Sequence, residues 1–348
     1  MAEREPYGRR DIVVIGASAG GVEALKHLAP MLSRDLPAAV FVVLHLPPEG
    51  RSALPGILSR AGPLPATHPE DGDLIQTGQI YVAPPDHHLV IEDGTIRLSR
   101  GPRENGYRPA IDRLFATAAT TYGPRVTGVI LSGALDDGTS GLAAVAQAGG
   151  ATIVQEPAEA LYAAMPTNAA ANVSDAEVLP LVLIGERISE LAGDGRNGRN
   201  GDPQDPDKPE ANGEAGGEEM TIEQAPNPES PDYAQPGRIS GFTCPECSGA
   251  LWEVDESGVL RYRCRVGHAF SAESFAAEQG AALEAALWAA LRALEERVAL
   301  CTKLAHRFAG SSHPRTTSRY EHMADEARTQ AQLIRDALEG LSPVAASA

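Results

Sequence analysis

One stretch near the N-terminus limits the possible folds of this chain more than any other. Residues 12–15 form an unbroken apolar run, Ile-Val-Val-Ile, which is typical of a strand buried on both faces of a parallel sheet. Residues 16–21 are all small, and residues 23–28 have the composition of a helix. Ser18 is therefore predicted to lie between a strand and a helix, beside backbone N–H groups that lack partners within the helix.

This turn allows two interpretations. Gly16, Ser18 and Gly20 fit the nucleophile-elbow pattern, in which small neighbours leave a serine hydroxyl free on a sharp turn. The alternative is a glycine-rich turn that binds a phosphate, or a tight strand–helix connection without a chemical role. Because the pattern is common, the turn alone does not decide between them.

The alternation of strands and helices continues along the first half of the chain. Further apolar runs, each typical of a buried strand, occupy residues 38–44, 126–131 and 152–155. Segments with helical periodicity occupy residues 51–61, 110–122 and 142–147. We therefore predict an α/β fold with a mostly parallel, doubly wound sheet. Residues 89–91 and 95–98 flank Glu-Asp-Gly and predict an antiparallel hairpin beside it.

Charge and hydropathy bear on location and partners. The 348 residues carry a formal net charge of −18, which argues against nonspecific nucleic-acid binding. No stretch approaches the roughly 18 to 20 apolar residues of a membrane-spanning helix, so no membrane insertion is expected. Residues 1–10 are charged and resemble no signal peptide, which favours a cytoplasmic location.

A polar segment divides the chain. Residues 193–238 contain eleven acidic and four basic residues, a net charge of −7, and almost no large apolar side chain. Such a segment buries too little surface to offset its ordering entropy, so we predict a disordered acidic linker. It would separate an α/β domain at residues 9–192 from a C-terminal half at residues 239–348.

Three polar residues each follow a different apolar run: Ser18, His45 and Asp137. In an open parallel sheet such positions meet at the carboxyl edge, where ligands bind. A hydroxyl nucleophile, an imidazole base and an orienting carboxylate are the parts of acyl-transfer hydrolysis. Singly, they could equally be a small turn residue, a loop histidine and an Asp-Gly turn. Their joint position favours a hydrolytic site.

The sequences around these residues resemble the three signature blocks of the catalytic domain of bacterial chemotaxis protein-glutamate methylesterases. The blocks are Gly-Ala-Ser-Ala-Gly-Gly, His-Leu-Pro-Pro and Ser-Gly-Ala-Leu-Asp-Asp-Gly, and the similarity covers residues 9–192. It implies that Ser18 is the nucleophile, His45 the general base and Asp137 the orienting carboxylate. It also implies hydrolysis of glutamate methyl esters on the cytoplasmic helices of methylated chemoreceptors, deamidation of receptor glutamines in many members, and no cofactor for catalysis.

Three departures from that family are expected to matter. Ala19 stands where the family often has threonine, and Ala134 stands where it has methionine, although alanine can still offer a backbone N–H to an oxyanion. Only about ten residues precede the first predicted strand, so we expect no attached phosphoreceiver domain. These departures motivate an alternative from another class, a non-catalytic adaptor that binds a receptor or a receptor methyltransferase.

The C-terminal half opens with the spacing of a metal site. Cys244 and Cys247 form a Cys-x2-Cys pair, and Cys264 and His268 follow with a three-residue gap. Between Cys247 and Cys264, residues 251–254 and 260–263 alternate apolar and polar side chains around Ser-Gly at 257–258, which predicts a hairpin. We predict a zinc ribbon at residues 239–270 with a structural zinc and four protein ligands, because so short a segment has little apolar core. A redox pair or disulfide is the alternative.

The last segment, residues 271–341, is predicted to form a helical hairpin rather than a dimerising coiled coil. Its apolar residues recur at alternating spacings of four and three, as in a heptad seam. The first set is Leu287, Leu291, Leu294, Val298, Cys301, Ala305 and Phe308, and the second is Tyr320, Ala324, Ala327, Ala331, Ile334, Leu338 and Leu341. We interpret this half as a docking or regulatory module.

Overall fold

The computed structural model describes residues 10–48, 52–193, 237–309 and 314–341. The chain divides into two compact units, with the division between Ser274 and Phe275. The predicted linker at residues 193–238 lies almost entirely outside the described residues. Among the helices within the described ranges, none combines the length and apolar character that crossing a membrane requires.

A seven-stranded, fully parallel sheet forms the centre of the first unit, which confirms the predicted α/β class. In chain order its strands are β1 (Ile12–Ala17), β2 (Ala39–Leu44), β3 (Ala66–Thr67), β4 (Ile80–Val82), β7 (Val126–Ile130), β8 (Ala151–Gln155) and β9 (Glu177–Leu179). Their spatial order is β3-β4-β2-β1-β7-β8-β9. The predicted hairpin is confirmed as β5 (His88–Glu92) and β6 (Thr95–Ser99).

Six helices cover the two faces of this sheet. Helices α1 (Gly21–Leu28), α2 (Leu54–Ala61) and α6 (Leu181–Gly193) pack on one face, and α3 (Ile111–Tyr122), α4 (Thr139–Gln147) and α5 (Ala164–Asn172) pack on the other. Short 3-10 turns occupy Ala29–Met31 and Gly123–Arg125.

The central strand shows why both faces are covered. Along β1, Val13 and Ile15 join the apolar cluster of the first face, and Ile12 and Val14 join that of the second. The connection after β1 runs over one face, and the connections into and out of β7 run over the other. The carboxyl ends of β1 and β7 therefore form the switch point at which open α/β sheets bind ligands.

An antiparallel four-stranded sheet, which we call the ribbon, belongs to the same compact unit. It consists of β10 (Arg238–Thr243), β11 (Ala250–Glu256), β12 (Val259–Cys264) and β13 (Ala269–Ser271), paired in that order. The hairpin predicted between Cys247 and Cys264 is formed by the middle strands, β11 and β12, in which Leu251 is opposite Cys264. The outer strands of the ribbon were not predicted from the sequence.

Two long helices, α7 (Ala272–Ala309) and α8 (Pro314–Gly340), end the described chain. Within the second unit they pair as the predicted helical hairpin: the Phe308 and Tyr320 rings stack at 5.9 Å, and Arg335 pairs with Glu295 at 2.6 Å. Six residues of the predicted seam are buried, namely Leu291, Cys301, Ala305, Ala324, Ala327 and Ala331. The connection at residues 310–313 lies outside the described residues.

Candidate active site

Ser18 is the first residue after β1, on a turn that is hydrogen-bonded to Ser132 near the end of the neighbouring strand β7. Its N–H donates to the carbonyl of Ser132 at 3.0 Å, and the Ser132 hydroxyl donates to the carbonyl of Ala19 at 2.8 Å. Gly20 has φ +72°, and a Cβ there would lie 2.7 Å from the Ser132 Oγ, so only glycine suits this position. The turn leaves the Ser18 side chain at the carboxyl edge of the sheet.

His45 follows β2 and contacts both other predicted site residues. Its Nδ1 lies 3.0 Å from the Ser18 Oγ, and its Nε2 lies 2.7 Å from Oδ2 of Asp137. The carboxylate accepts only from a protonated nitrogen, so Nε2 carries the proton and the Nδ1 lone pair faces the hydroxyl. The imidazole is thus oriented to take a proton from Ser18, although the ring nitrogens have the opposite roles to those in chymotrypsin-type triads.

Tyr107 covers one face of the His45 ring. The two rings are nearly parallel, with an interplanar angle of 7° and centroids 3.6 Å apart. Together with the hydrogen bonds on both nitrogens, this stack leaves the imidazole little rotational freedom, and its side chain is only 4% exposed. Tyr107 was not singled out by the sequence analysis.

Asp137 is held as a carboxylate by donors on both of its oxygens. Oδ2 accepts from His45 and from the N–H of Ile111 at 2.7 Å, and Oδ1 accepts from the Asn105 amide at 2.8 Å and the N–H of Asp112 at 3.2 Å. Burial by itself would raise the pKa of Asp137, but the His45 contact and these donors lower it to about 2. Asp137 therefore stays ionised at neutral pH.

Asp112 and Asp137 hold each other's helices. Asp137 precedes α4 but accepts from the first-turn N–H groups of α3. Asp112 lies in the first turn of α3 but accepts, through Oδ1, from Gly138 at 3.1 Å and Gly141 at 2.7 Å at the start of α4. Each carboxylate thus satisfies donors at a helix N-terminus, where negative charge is favoured.

Asn105 connects the two carboxylates. Its amide nitrogen donates to Oδ2 of Asp112 at 2.9 Å and to Oδ1 of Asp137 at 2.8 Å. Its amide oxygen accepts from the N–H of Ser271 at 2.8 Å, and the side chain is 1% exposed. All of these contacts require one amide orientation, so Asn105 fixes the spacing of the acids.

The four predicted metal ligands also come together, in the ribbon. Their ligand atoms all lie within 4.8 Å of one another. The His268 Nδ1 lies 3.7 Å from the Cys244 Sγ and 3.5 Å from the Cys264 Sγ, while the Cys247 and Cys264 sulfurs are 3.6 Å apart. Tetrahedral bonds of about 2.0 to 2.3 Å give ligand separations close to these values, so the residues fit an ion. The cysteines are free, not disulfide-bonded.

The other residues of these blocks have different roles. Asp136, adjacent to the predicted carboxylate, contacts the end of the ribbon and the start of α7. Its Oδ1 accepts from the hydroxyls of Ser271 in β13 at 2.6 Å and Ser274 in α7 at 3.0 Å. Sequence analysis also gave no role to Asn105 or Asp112. Asp112 ends the stretch Arg-Pro-Ala-Ile-Asp at residues 108–112, which also resembles the family, and this was a usable signal. Asn105 lies in an ordinary Asn-Gly turn, which gave none.

The fold and site together define a class. A serine, a histidine and an aspartate in mutual hydrogen-bond contact, at the carboxyl edge of a parallel sheet, form the constellation of serine hydrolases. The class is consistent with the family comparison. The family described as CheB methylesterase matches residues 13–188, and this chain belongs to that family.

Curated relatives and a solved structure agree with that assignment. A protein-glutamate methylesterase/protein-glutamine glutaminase of Symbiobacterium thermophilum is 36% identical over 187 residues, 53% of this chain and 52% of the relative. A putative enzyme of the same description from Leptospira interrogans is 38% identical over 182 residues, 52% of this chain and 92% of the relative. The crystal structure of the Thermotoga maritima CheB methylesterase catalytic domain matches with a TM-score of 0.50 and 34% identity, over 52% of this chain and 98% of that one.

Proposed function

We propose that this protein is a serine esterase that hydrolyses glutamate methyl esters on chemoreceptors, with Ser18, His45 and Asp137 as its catalytic triad. The observation that supports this most is the hydrogen-bonded series from the Ser18 hydroxyl through His45 to the Asp137 carboxylate. The names of the relatives support the substrate class and an additional deamidation of glutamine.

The geometry supports a two-step acyl transfer. The Ser18 Oγ attacks the ester carbonyl carbon while Nδ1 of His45 takes the hydroxyl proton, and the Asp137 carboxylate stabilises the imidazolium. The tetrahedral intermediate expels the methoxy group, which takes the proton from Nδ1 and leaves as methanol. Water then loses a proton to Nδ1 of His45 and attacks the Ser18 ester. The bond to the Ser18 Oγ breaks, this oxygen takes the proton back from His45, and the receptor's glutamate side chain is released. With glutamine as substrate, the leaving group is ammonia.

Backbone N–H groups near Ser18 would stabilise the oxyanion. Those of Ser18 and Gly133 already donate to carbonyls, at 3.0 Å each. Those of Ala19 and Ala134 make no hydrogen bond within the described part of the chain. Ala19 lies next to the N-terminus of α1, where backbone dipoles favour negative charge. Because these donors are backbone groups, the alanines at both positions do not remove them.

For the ribbon we propose a structural zinc bound by Cys244, Cys247, Cys264 and His268. Three thiolates and one imidazole fill a tetrahedral site, which leaves no position for a substrate. When bound, the ion would cross-link the connection between β10 and β11 to the end of β12 and the connection between β12 and β13. The proposed esterase chemistry uses no cofactor. A receptor methyltransferase as a second partner stays a prediction of the sequence analysis.

The direct test measures methanol release from methylated receptor fragments. Ser18→Ala should lower kcat by about 10⁴-fold or more, because loss of a triad member removes both nucleophile and proton transfer. Ser33→Ala, at an exposed serine, is the matched control and should behave as wild type. A Ser18→Ala rate within about tenfold of wild type would contradict the triad and leave the adaptor alternative.

A further inference from the structure

The ribbon inserts a charged side chain into the α/β domain. Arg261, on β12, has no exposed surface. Its Nη1 donates to Oδ2 of Asp112, while its Nη2 lies 3.6 Å from Glu104 and its Nε lies 3.6 Å from Glu256. A buried guanidinium is unfavourable without acidic partners. Asp112 and Glu104 of the α/β domain and Glu256 of the ribbon itself surround it.

Only one residue, Asp112, stands between Arg261 and the proposed triad. Asp112 shares the Asn105 amide with Asp137 and donates its own N–H to Asp137. Two carboxylates so close disfavour each other's ionisation. Burial raises the pKa of Asp112 to about 7, Arg261 opposes that rise, and Asp137 adds to it. The guanidinium is thus the positive charge that opposes protonation of Asp112 beside the ionised Asp137.

A second group of contacts reaches the same loops from β13. The N–H of Asn105 donates to the carbonyl of Ala269 at 2.7 Å, and the N–H of Ser271 donates to the Asn105 amide oxygen. The Ser271 hydroxyl donates to Asp136, directly before Asp137. The ribbon therefore contacts Asn105, which donates to the Asp137 carboxylate, and Asp136, which directly precedes Asp137.

A role limited to attaching the ribbon would not require a charge at this place. An apolar residue of similar volume, opposite an apolar partner, commonly stabilises as well as a buried ion pair. Here the guanidinium faces Asp112, whose other oxygen accepts from the N-terminus of α4, the helix that follows Asp137. This arrangement is what we would expect if Arg261 helps to orient the residues of the proposed triad.

We propose that Arg261 of the ribbon is a positioning residue for the esterase reaction, which keeps the Asp112–Asn105–Asp137 group in the geometry that aligns His45 with Ser18. This inference rests on the proposed function. The ribbon is then a part of the active-site framework and not only a docking module.

The experiment compares full-length Arg261→Met, Arg261→Lys and the control Arg238→Met, which removes an exposed charge from the same ribbon. Three quantities are measured: kcat and KM for methanol release, the rate at which a fluorophosphonate labels Ser18, and the folded fraction by circular dichroism. The labelling rate is expressed per folded molecule, so that a loss of stability alone does not change it.

For Arg261→Met we expect kcat and the labelling rate to fall about 10- to 100-fold with KM nearly unchanged, since small misalignments of a catalytic group have effects of this size. Arg261→Lys, which keeps the charge, should recover most of the rate, and Arg238→Met should match wild type. If Arg261→Met does not fold, Arg261→Gln, which can donate to Asp112 without a charge, takes its place.

The possible failures are distinct. Wild-type labelling of Ser18 together with an unchanged rate in folded Arg261→Met or Arg261→Gln would overturn the inference and leave the proposed esterase intact. Failure of the probe to label Ser18 in wild type would overturn the proposed function, and the inference with it.

Discussion

The α/β domain and the ribbon hold their polar groups in place by different means. In the α/β domain two large apolar clusters fix the strand ends and helix N-termini from which Ser18, His45 and Asp137 project. The ribbon buries few large apolar side chains, chiefly Leu251 and Phe270, and gathers four metal-ligating residues at one end. The site's chemistry therefore belongs to the α/β domain, whereas the alignment that we propose depends partly on a small sheet for which we propose a structural ion.

Substitution of Asp137 should affect the α/β domain and leave the ribbon unchanged. Asp137→Asn should lower kcat by about 10⁴-fold, because a carboxamide no longer selects the tautomer with the proton on Nε2. The same variant should keep its metal, since none of the four ligands contacts Asp137. Methanol release and metal content measured on one preparation check both statements. Metal loss in Asp137→Asn would show that the regions are not separable in this way.

Removal of the metal should produce a smaller loss of activity. Cys247→Ser should weaken metal binding, expose the ribbon to proteolysis and displace Arg261, lowering the Ser18 labelling rate about 10- to 100-fold. Cys301→Ala, which removes a buried cysteine of the helical hairpin, should retain the metal and the rate. Metal content, limited proteolysis and labelling are compared. A metal-free protein with a wild-type labelling rate would contradict the dependence of alignment on the ribbon.

The contributions of Asp112 and Asp137 to the stability of the fold should change with pH in opposite directions. The pKa of Asp112 is raised to about 7, so its contribution to stability is present below about pH 4 and is lost as the pH rises toward 7. The pKa of Asp137 is lowered to about 2, so its contribution is present above pH 4 and is lost toward pH 2.

Denaturant unfolding at pH 5 and pH 7 checks the Asp112 direction. The free energy of unfolding of wild type relative to Asp112→Asn should decrease with rising pH, by on the order of 1 kcal/mol per pH unit. A difference that grows with pH would show that Arg261 lowers the pKa of Asp112 below its ordinary value.

The smallest effect concerns Tyr107. Tyr107→Ala removes the ring stacked on His45 and should lower kcat by no more than about tenfold, because aromatic pairs contribute only about 0.5 to 1.5 kcal/mol. Tyr107→Phe keeps the stack and should stay close to wild type. Steady-state kinetics on both variants distinguish the ring from its hydroxyl. Equal losses in the two variants would assign the effect to the hydroxyl.

The same comparison shows what could be predicted from the sequence. The strands that precede Ser18 and His45 were predicted from apolar runs, and the two residues from their position at the strand ends, because a parallel sheet brings those ends to one edge. The spatial order of the strands was not predicted from the sequence. The spacing of the cysteines and the histidine predicted the ligand cluster, because the members of each ligand pair are only a few residues apart in the chain.

Arg261 and Asn105 had no comparable signal. Their contacts join residues far apart in the chain: 149 positions separate Arg261 from Asp112, and 166 separate Asn105 from Ser271. An arginine on a short alternating strand is normally solvated, and only the packing of the ribbon on the α/β domain changes that.

The central claim is that His45 activates Ser18, and one labelling experiment tests it. Wild type, His45→Gln and His27→Gln, an exposed histidine on α1, are treated with a fluorophosphonate, and the modified peptide is identified by mass spectrometry. We expect rapid labelling at Ser18 in wild type and in His27→Gln, and at least about 10³-fold slower labelling in His45→Gln. Equal labelling of His45→Gln and wild type, or labelling at another serine, would contradict it.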